Sequence, residues 1–224
     1  DIIASRDGST VTFSAPNNFN GSEDFTATVS DGGALVDTET FTVTVNAVND
    51  APIAFAASEE VAEDGSVVVT LSGDDIDGDN LTFSLVTDAS ASNGEVTVQG
   101  SQATYTPSAN YNGDDSFTFT ASDGELSATA TVTLTVTAVN DAPTLAAVST
   151  VTFDEDGSGS TTLVGSDIDS TDLTYSVSTG TDITASVDGA ALSFTAPADF
   201  NGSESFTATV TDGEYSSSQA FTVT

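Results

Sequence analysis

The chain has 224 residues, with 35 Asp and Glu against one basic residue, Arg6, so its net charge at pH 7 is −34. This balance excludes a positive patch for phosphates, so we expect no binding to nucleic acid or to anionic membranes. The sequence also has no His and no Cys. Without them, zinc sites, iron–sulfur sites and the usual nucleophile systems lack their ligands or bases, and the remaining oxygen ligands favour calcium.

An internal repeat organises the chain. The hexapeptide Ala-Val-Asn-Asp-Ala-Pro begins at Ala47 and again at Ala138, and such fixed spacing identifies an array of similar units. Each unit is close to the size of an immunoglobulin-type sandwich, roughly 100 residues. We predict three domains: the C-terminal half of a repeat in 1–46, a complete repeat in 47–137 and another complete repeat in 138–224.

The first 46 residues show the alternation of β-strands. Apolar and polar residues alternate within 10–13, 25–29 and 41–45, which places the apolar side chains on one face of each strand. Residues 1–5 match residues 182–186, two repeat lengths later. No charged and then apolar leader opens the chain, so we expect Asp1 to lie inside a longer mature protein. We also expect no membrane insertion, because no stretch approaches about 20 apolar residues.

The complete repeats show a series of short strands at regular spacing, bounded by Gly, Asn, Asp and Pro. In the first complete repeat the predicted strands are 53–55, 67–71, 81–85, 95–98, 103–106, 116–120 and 130–136. The second repeat follows the same plan, and no helical period persists anywhere. Short, regularly spaced strands indicate an all-β fold of antiparallel β-sandwiches.

Acidic motifs return at fixed places in each unit. One of them, 75–80, has the sequence Asp-Ile-Asp-Gly-Asp-Asn and resembles the start of an EF-hand loop. Position twelve of such a loop would be Val86 in place of Glu, and no flanking helix is predicted, so an EF-hand is rejected. Two carboxylates about 5 Å apart would repel by about 3 kcal/mol at an effective dielectric near 20. Converging acids therefore need a cation, or they stay spread out in water.

The order of these motifs resembles that of cadherin repeats: Glu-x-Gly at 63–65, Asp-x-Asp-Gly-x-Asn-Leu-Thr-Phe at 75–83, Ala-x-Asp-Gly at 121–124 and Asn-Asp-x-Pro at 140–143. Together with Asn-Tyr-Asn-Gly-Asp-Asp-Ser-Phe at 110–117, the pattern looks most like bacterial cadherin-like repeats of long secreted adhesins and surface proteins. The resemblance covers essentially the whole chain. It implies tandem seven-stranded Greek-key sandwiches joined end to end, an extracellular or cell-surface location, and calcium ions at the joints.

The resemblance also assigns candidate metal ligands. At the first joint they are Glu23, Asn49, Asp50, Asp75, Asp77, Asn80 and Asp123. At the second joint they are Glu63, Asp115, Asn140, Asp141, Asp167, Asp169, Asp172 and Asp212. The chain departs from the cadherin pattern at Ala47 and Ala51, where an acid and an Asn are expected, and it lacks the Asp-Arg-Glu motif. Fewer ligands imply one or two ions per joint, bound at about 10⁻⁴–10⁻³ M.

Three functions follow from these observations. A calcium-stiffened structural spacer of a long extracellular repeat protein, an adhesin or a surface fibre, accounts for the acids at the joints. The alternative is a module whose exposed strand edges and Thr-rich faces bind other copies or cell-surface glycans, with the acids serving as a salt-adapted surface. Catalysis would need a carboxylate pair acting on a glycoside, and because the acids occupy repeated joints we expect no enzyme.

Overall fold

The computed structural model describes residues 1–86 and 91–224 of the chain. None of these residues is helical, and correspondingly none lies in a helix that could cross a membrane. The predicted all-β fold is confirmed. The chain divides into two compact units, Asp1–Thr137 and Ala138–Thr224. The bounds of the three predicted domains remain a prediction.

The half-repeat consists of two antiparallel hairpins. Strand β1 (Ile3–Asp7) pairs with β2 (Thr10–Ser14), and β3 (Gly21–Ser30) pairs with β4 (Val36–Val45). These strands contain all three segments that alternation predicted. The long β3–β4 hairpin keeps its register over ten residue pairs, from Gly21↔Val45 to Ser30↔Val36.

The described residues of the first complete repeat, 47–86 and 91–137, form nine strands. They are β5 (Ile53–Phe55), β6 (Ala57–Ala62), β7 (Val67–Thr70), β8 (Ser72–Asp74), β9 (Thr82–Leu85), β10 (Gly94–Gln99), β11 (Gln102–Pro107), β12 (Gly113–Ser122) and β13 (Ser127–Thr137). One sheet has the order β6-β13-β12-β9 and another the order β10-β11-β7, while β5 pairs with β8. All seven predicted strands are present, and β8 follows β7 directly after Leu71.

Strand β6 was not among the strands predicted from the sequence. It pairs in parallel with β13, from Val132↔Ala57 to Thr137↔Ala62, whereas only antiparallel pairs were expected. Its central residues, Ser58-Glu59-Glu60, are all exposed, and Val61 is its one buried residue. Local alternation could not reveal this strand, because it lies at the edge of the sheet and its partner is distant in sequence.

The second complete repeat has the same plan. Its strands are β14 (Thr144–Leu145), β15 (Ser158–Thr162), β16 (Gly165–Ser166), β17 (Thr174–Val177), β18 (Thr184–Asp188), β19 (Ala191–Thr195), β20 (Glu204–Thr211) and β21 (Ser216–Val223). The sheets have the orders β17-β20-β21, β15-β19-β18 and β14-β16. A parallel bridge between Val151 and Val223 takes the place of the β6–β13 pairing.

Aromatic rings fill the centre of each sandwich. Two equivalent triads are Phe13, Phe25 and Phe41 in the half-repeat and Phe194, Phe206 and Phe221 in the second repeat. Ring centroids lie 4.9–6.3 Å apart in the first triad and 5.3–6.0 Å apart in the other. Phe221 is 6% exposed and Phe41 is 39% exposed. In the second repeat Leu145, Val151 and Leu163 belong to the cluster around the rings, and 1–46 has no equivalent of them.

The turn before β3, β12 and β20 has the same backbone shape each time. Asn18, Asn110 and Asp199 adopt φ values of 61°, 57° and 61°, a left-handed conformation that Asn and Asp tolerate better than other side chains. The next residue is aromatic in every case. Tyr111 and Phe200 pack against the buried clusters of their repeats. An aromatic residue at this turn therefore caps the core of each complete repeat.

We expect Phe206→Ala to destabilise the second repeat by about 3–5 kcal/mol, because the ring is 1% exposed and its removal leaves a cavity. Urea unfolding followed by the amide NMR signals of the substituted unit, residues 138–224 or 1–46, measures this loss. The matched control is Phe41→Ala in the half-repeat, where the ring is already partly in water. An equal loss in stability from both substitutions would contradict this description of the core.

Candidate calcium-binding joints

The acidic loop after β8 wraps around one carboxylate. Asp75 Oδ1 accepts a hydrogen bond of 2.9 Å from the backbone N–H of Asp77 and a longer one, 3.5 Å, from that of Asp79. Gly78 turns the loop with φ of 83°, a conformation that favours glycine. Asp75 Oδ2 is buried and has no hydrogen-bond partner in the structure. One oxygen of Asp75 therefore shapes the loop while the other stays available.

The second repeat builds the same loop after β16. Asp167 Oδ1 accepts hydrogen bonds of 2.8 Å from the backbone N–H groups of Asp169 and Ser170. Asp167 Oδ2, like its counterpart in the first repeat, is buried without a hydrogen-bond partner. Ser170 stands where the first repeat has Gly78, so the glycine is not required for this arrangement.

The first linker is held by two acidic loops of the repeat that follows it. The side-chain amide of Asn49 donates to Asp123 Oδ2 at 2.9 Å, and the backbone N–H of Asp50 donates to Asp77 Oδ2 at 2.7 Å. Asp123 Oδ1 accepts two further bonds of 2.7 Å from the backbone N–H groups of Glu125 and Leu126. The structure thus brings together Asn49, Asp50, Asp77 and Asp123, four of the candidate ligands of the first joint.

The second linker repeats these contacts. Asn140 donates to Asp212 Oδ2 at 2.7 Å, and the backbone N–H of Asp141 donates to Asp169 Oδ2 at 2.7 Å. The Asn140 amide, followed by backbone N–H groups of its own turn, holds the pKa of Asp212 below its ordinary value. For Asp123 the backbone N–H of Leu126 has the largest effect in lowering the pKa, and the Asn49 amide comes next. Each linker is therefore bound to ionised carboxylates.

In the two complete repeats, the acid two residues before the buried phenylalanine of β12 and β20 clamps backbone. Asp115 accepts hydrogen bonds from the N–H groups of Ser92, Asn93 and Ser116 and from the hydroxyl of Tyr105, at 2.8–3.1 Å. Burial, and secondly this bond to Asp115, raises the pKa of Tyr105. The structure gives Asp115 a local function within its own repeat, which the sequence did not reveal.

Equivalent acids occur in the other two units. Glu204 accepts hydrogen bonds from the backbone N–H groups of Thr181, Asp182 and Ile183 at 2.7–3.3 Å. The bond from the Asp182 N–H has the largest effect in lowering the pKa of Glu204. In the half-repeat the carboxylate of Glu23 lies 3.9 Å from the amino group of Asp1, the counterpart of Asp182. In both complete repeats a carboxylate at this position thus holds the backbone that precedes a hairpin.

The remaining predicted ligands occupy three different settings. Glu63 is 1% exposed, and its backbone N–H donates to the carbonyl of Thr137 at 3.0 Å. Asn80 is exposed in the loop before β9. Asp172 is also exposed, and its backbone N–H donates to Ser170 Oγ.

Two features of the joints bear on a bound cation. Over residues 1–86 and 91–224, the structure brings no three Asp or Glu side chains into a group of the kind that holds a metal ion. The buried and unpartnered oxygens of Asp75 and Asp167 nevertheless fit a cation. At the first joint, a cavity of about 230 Å³ is lined by residues that include Asn20, Asp50 and Asp77. The candidate metal-ligand atoms are all oxygens, the type that calcium prefers.

Comparison with known proteins identifies the units. The family model of the bacterial Ig domain matches residues 49–135 and 140–224. The chain belongs to the bacterial Ig domain family. No curated protein sequence matches the chain. Both complete repeats are therefore tandem Ig-like domains, and the predicted bacterial repeat architecture is confirmed.

Solved structures similar to this bacterial Ig array include cadherin ectodomains. Mouse cadherin-23 EC22-24 matches with a TM-score of 0.58 and 19% identity over 89% of this chain and 73% of that one. The protocadherin gammaB7 EC3-6 cis-dimer structure matches with a TM-score of 0.54 and 17% identity over 99% and 65%. Human protocadherin-24 EC1-2 gives 0.53 and 16% over 79% and 100%. These similarities show the cadherin-like sandwich fold.

We expect Asp115→Asn to destabilise the first complete repeat by about 1–3 kcal/mol, because the substitution removes an acceptor from a set of backbone N–H groups. The measurement is urea unfolding in the presence of a calcium chelator. The control is Asp114→Asn, an exposed neighbour whose substitution should change stability by less than about 0.5 kcal/mol. If Asp115→Asn has no effect in chelator, the backbone clamp is wrong and Asp115 acts through metal.

We expect Asn140→Ala to raise the pKa of Asp212 towards its ordinary value of 3.8, because the substitution removes the main hydrogen bond to the carboxylate. A lowered pKa contributes stability that is complete above pH 3.8 and is lost as the pH falls through the lower native value. NMR titration of the Asp212 carboxyl carbon in both proteins measures the change. An unchanged pKa in Asn140→Ala would show that the linker amide does not hold Asp212.

Proposed function

We propose that this bacterial Ig array is a structural spacer of an extracellular or cell-surface repeat protein, and that calcium bound at the joints stiffens it. The observation that carries the proposal is the buried, unpartnered carboxylate oxygen of Asp75, which recurs at Asp167. Leaving a buried charged acceptor without a partner is costly. A cation would satisfy these oxygens at equivalent places in the two complete repeats.

The neighbouring contacts supply a link from this oxygen to the linker. Asp77 lies in the same loop as Asp75 and binds the backbone of Asp50, and Asp123 binds Asn49. We infer that Asp75, Asp77 and Asp123 would hold calcium together with oxygens of the linker. The matching set in the second repeat is Asp167, Asp169 and Asp212 with Asn140 and Asp141. The ion would replace repulsion among these carboxylates by shared coordination, which fixes the linker on the repeat.

The contributions of the preceding units are different. Asp115 and Glu23 sit at positions where the carboxylate clamps backbone, so we assign them to calcium only as additional ligands from the base of each preceding repeat. Glu63, Asn80 and Asp172 remain predicted ligands on the resemblance alone. With this reduced set, weak binding at about 10⁻⁴–10⁻³ M is expected, the range of extracellular modules. At ten times the dissociation constant, each site adds about 1.4 kcal/mol of stability.

The contacts of the acidic side chains also fit a spacer better than an enzyme. The carboxylates of Asp123 and Asp212 bind linker amides and turn backbone, and those of Asp115 and Glu204 bind backbone at the other end of the repeat. Groups engaged in this way hold chain segments in place. We therefore propose a non-catalytic role for the array.

Isothermal titration calorimetry with calcium tests the proposal. We expect the parent chain to bind calcium in the range given above, and Asp75→Asn to lose the heat of one joint. The control is Asp188→Asn, which changes an exposed acid at the end of β18 and should bind as the parent does. If the parent releases no heat beyond that of sodium chloride at equal ionic strength, or if both variants lose binding equally, calcium binding at these loops is wrong.

A further inference from the structure

The outward face of the β9–β12–β13 sheet carries hydroxyl groups at successive outward positions. Alternate residues are all Ser or Thr from Ser116 to Ser122 on β12 and from Ser127 to Thr135 on β13. The register places them directly opposite one another, and β9 adds Thr82 and Ser84 opposite β12. We call these residues the hydroxyl face. The residues between them, such as Phe117 and Val132, are buried in the core.

Charge is nearly absent from this face although the chain carries −34. The nearest acids on the same side of the sheet are Asp114 and Glu60, which both lie beside Thr135 at one end. The candidate joint acids lie in the loops instead, at positions such as Asp75 and Asp123. Two copies of the chain that approach through loop-bearing surfaces meet like charges, whereas two hydroxyl faces do not.

The other units conserve this pattern within the same chain. In the second repeat the outward positions of β20 from Ser205 to Thr211 are all Ser or Thr, and those of β21 from Ser216 to Thr222 are Ser, Ser, Ala and Thr. The equivalent positions of β3 and β4 in the half-repeat include a single acid, Asp24. A neutral hydroxyl surface is therefore a repeated feature and not an accident of one sheet.

We propose that the hydroxyl face of the first complete repeat binds the same face of a second copy. A hydroxyl group both donates and accepts hydrogen bonds, so an array of them is complementary to itself, as a two-fold contact between identical surfaces requires. Cross-strand contacts already orient some of these groups. Thr118 and Thr131 lie 3.4 Å apart through their Oγ1 atoms, and Thr82 donates to the carbonyl of Ser122 at 3.2 Å.

The size of the face sets the strength of the contact. The three strands that carry the face, β13, β12 and β9, have 11, 10 and 4 residues. At about 3.4 Å per residue and about 4.8 Å between strands, they present about 400 Å². This is less than the roughly 800 Å² per partner of a stable complex. We therefore expect weak and reversible pairing, of the kind that many copies fixed on one surface would make together.

Sedimentation equilibrium of the whole chain tests this proposal, at about 0.15 M NaCl where the Debye length is about 8 Å and distant acids are screened. We expect the average mass to rise with protein concentration. Thr131→Glu places a charge at the centre of the hydroxyl face, and in a two-fold dimer it does so twice. We expect this variant to weaken association by about tenfold or more, since like charges at an interface cost several kcal/mol.

The control is Thr97→Glu, which makes the same change at an exposed position of β10, in the other sheet of the same repeat. It should associate as the parent chain does. Circular dichroism and thermal melting of both variants establish that each remains folded. A parent chain that stays monomeric over the whole concentration range overturns the proposal. Equal association of the two variants, or equal weakening of both, also overturns it, because the contact would then lie elsewhere.

Discussion

The rest of the structure depends on the way in which a short linker is tied to the repeat that follows it. An Asn side chain binds the carboxylate of a turn, and the next backbone N–H binds the carboxylate of the acidic loop. The same pair of contacts recurs at the second linker, with distances of 2.7 Å. Hydrogen bonds to an ionised acceptor are stronger than those to a neutral one. They make two residues of each linker part of the sandwich that they precede.

This arrangement explains how so acidic a chain remains folded. Backbone N–H groups or linker amides bind the carboxylates of Asp115, Asp123, Glu204 and Asp212, while the outward face of the β9–β12–β13 sheet exposes hydroxyl groups. The core depends on aromatic rings in place of disulfides, which the sequence cannot form because it has no Cys. The Oδ2 atoms of Asp75 and Asp167 are buried without a hydrogen-bond partner, and the proposed cation would satisfy them. Salt adaptation of the surface alone would not require a buried oxygen of this kind.

Much of the fold could be predicted from the sequence, because alternation at period two reports burial directly. All seven strands predicted for the first repeat are present, whereas β6 was missed because its exposed Ser58-Glu59-Glu60 run gives no alternating signal. The association of Asn49 and Asp50 with the acidic loops followed from the order of the motifs. The use of Asp115 did not, since a carboxylate that accepts backbone N–H groups and one that binds a metal look the same in sequence. Its position two residues before a buried Phe in both complete repeats is the signal that could have revealed the clamp.

The most direct test of a calcium-stiffened spacer is small-angle X-ray scattering of the whole chain during a calcium titration, with a chelator as the reference state. The proposal predicts that the maximum dimension of the chain increases and the range of its conformations narrows as calcium is added. Sodium chloride at equal ionic strength should have no such effect. With calcium present, the Asp77→Ala variant should keep the wide range of conformations of the chelated parent, because the substitution removes the acceptor of the Asp50 N–H. A parent chain whose dimensions do not respond to calcium would contradict the account and leave the acids as a salt-adapted surface.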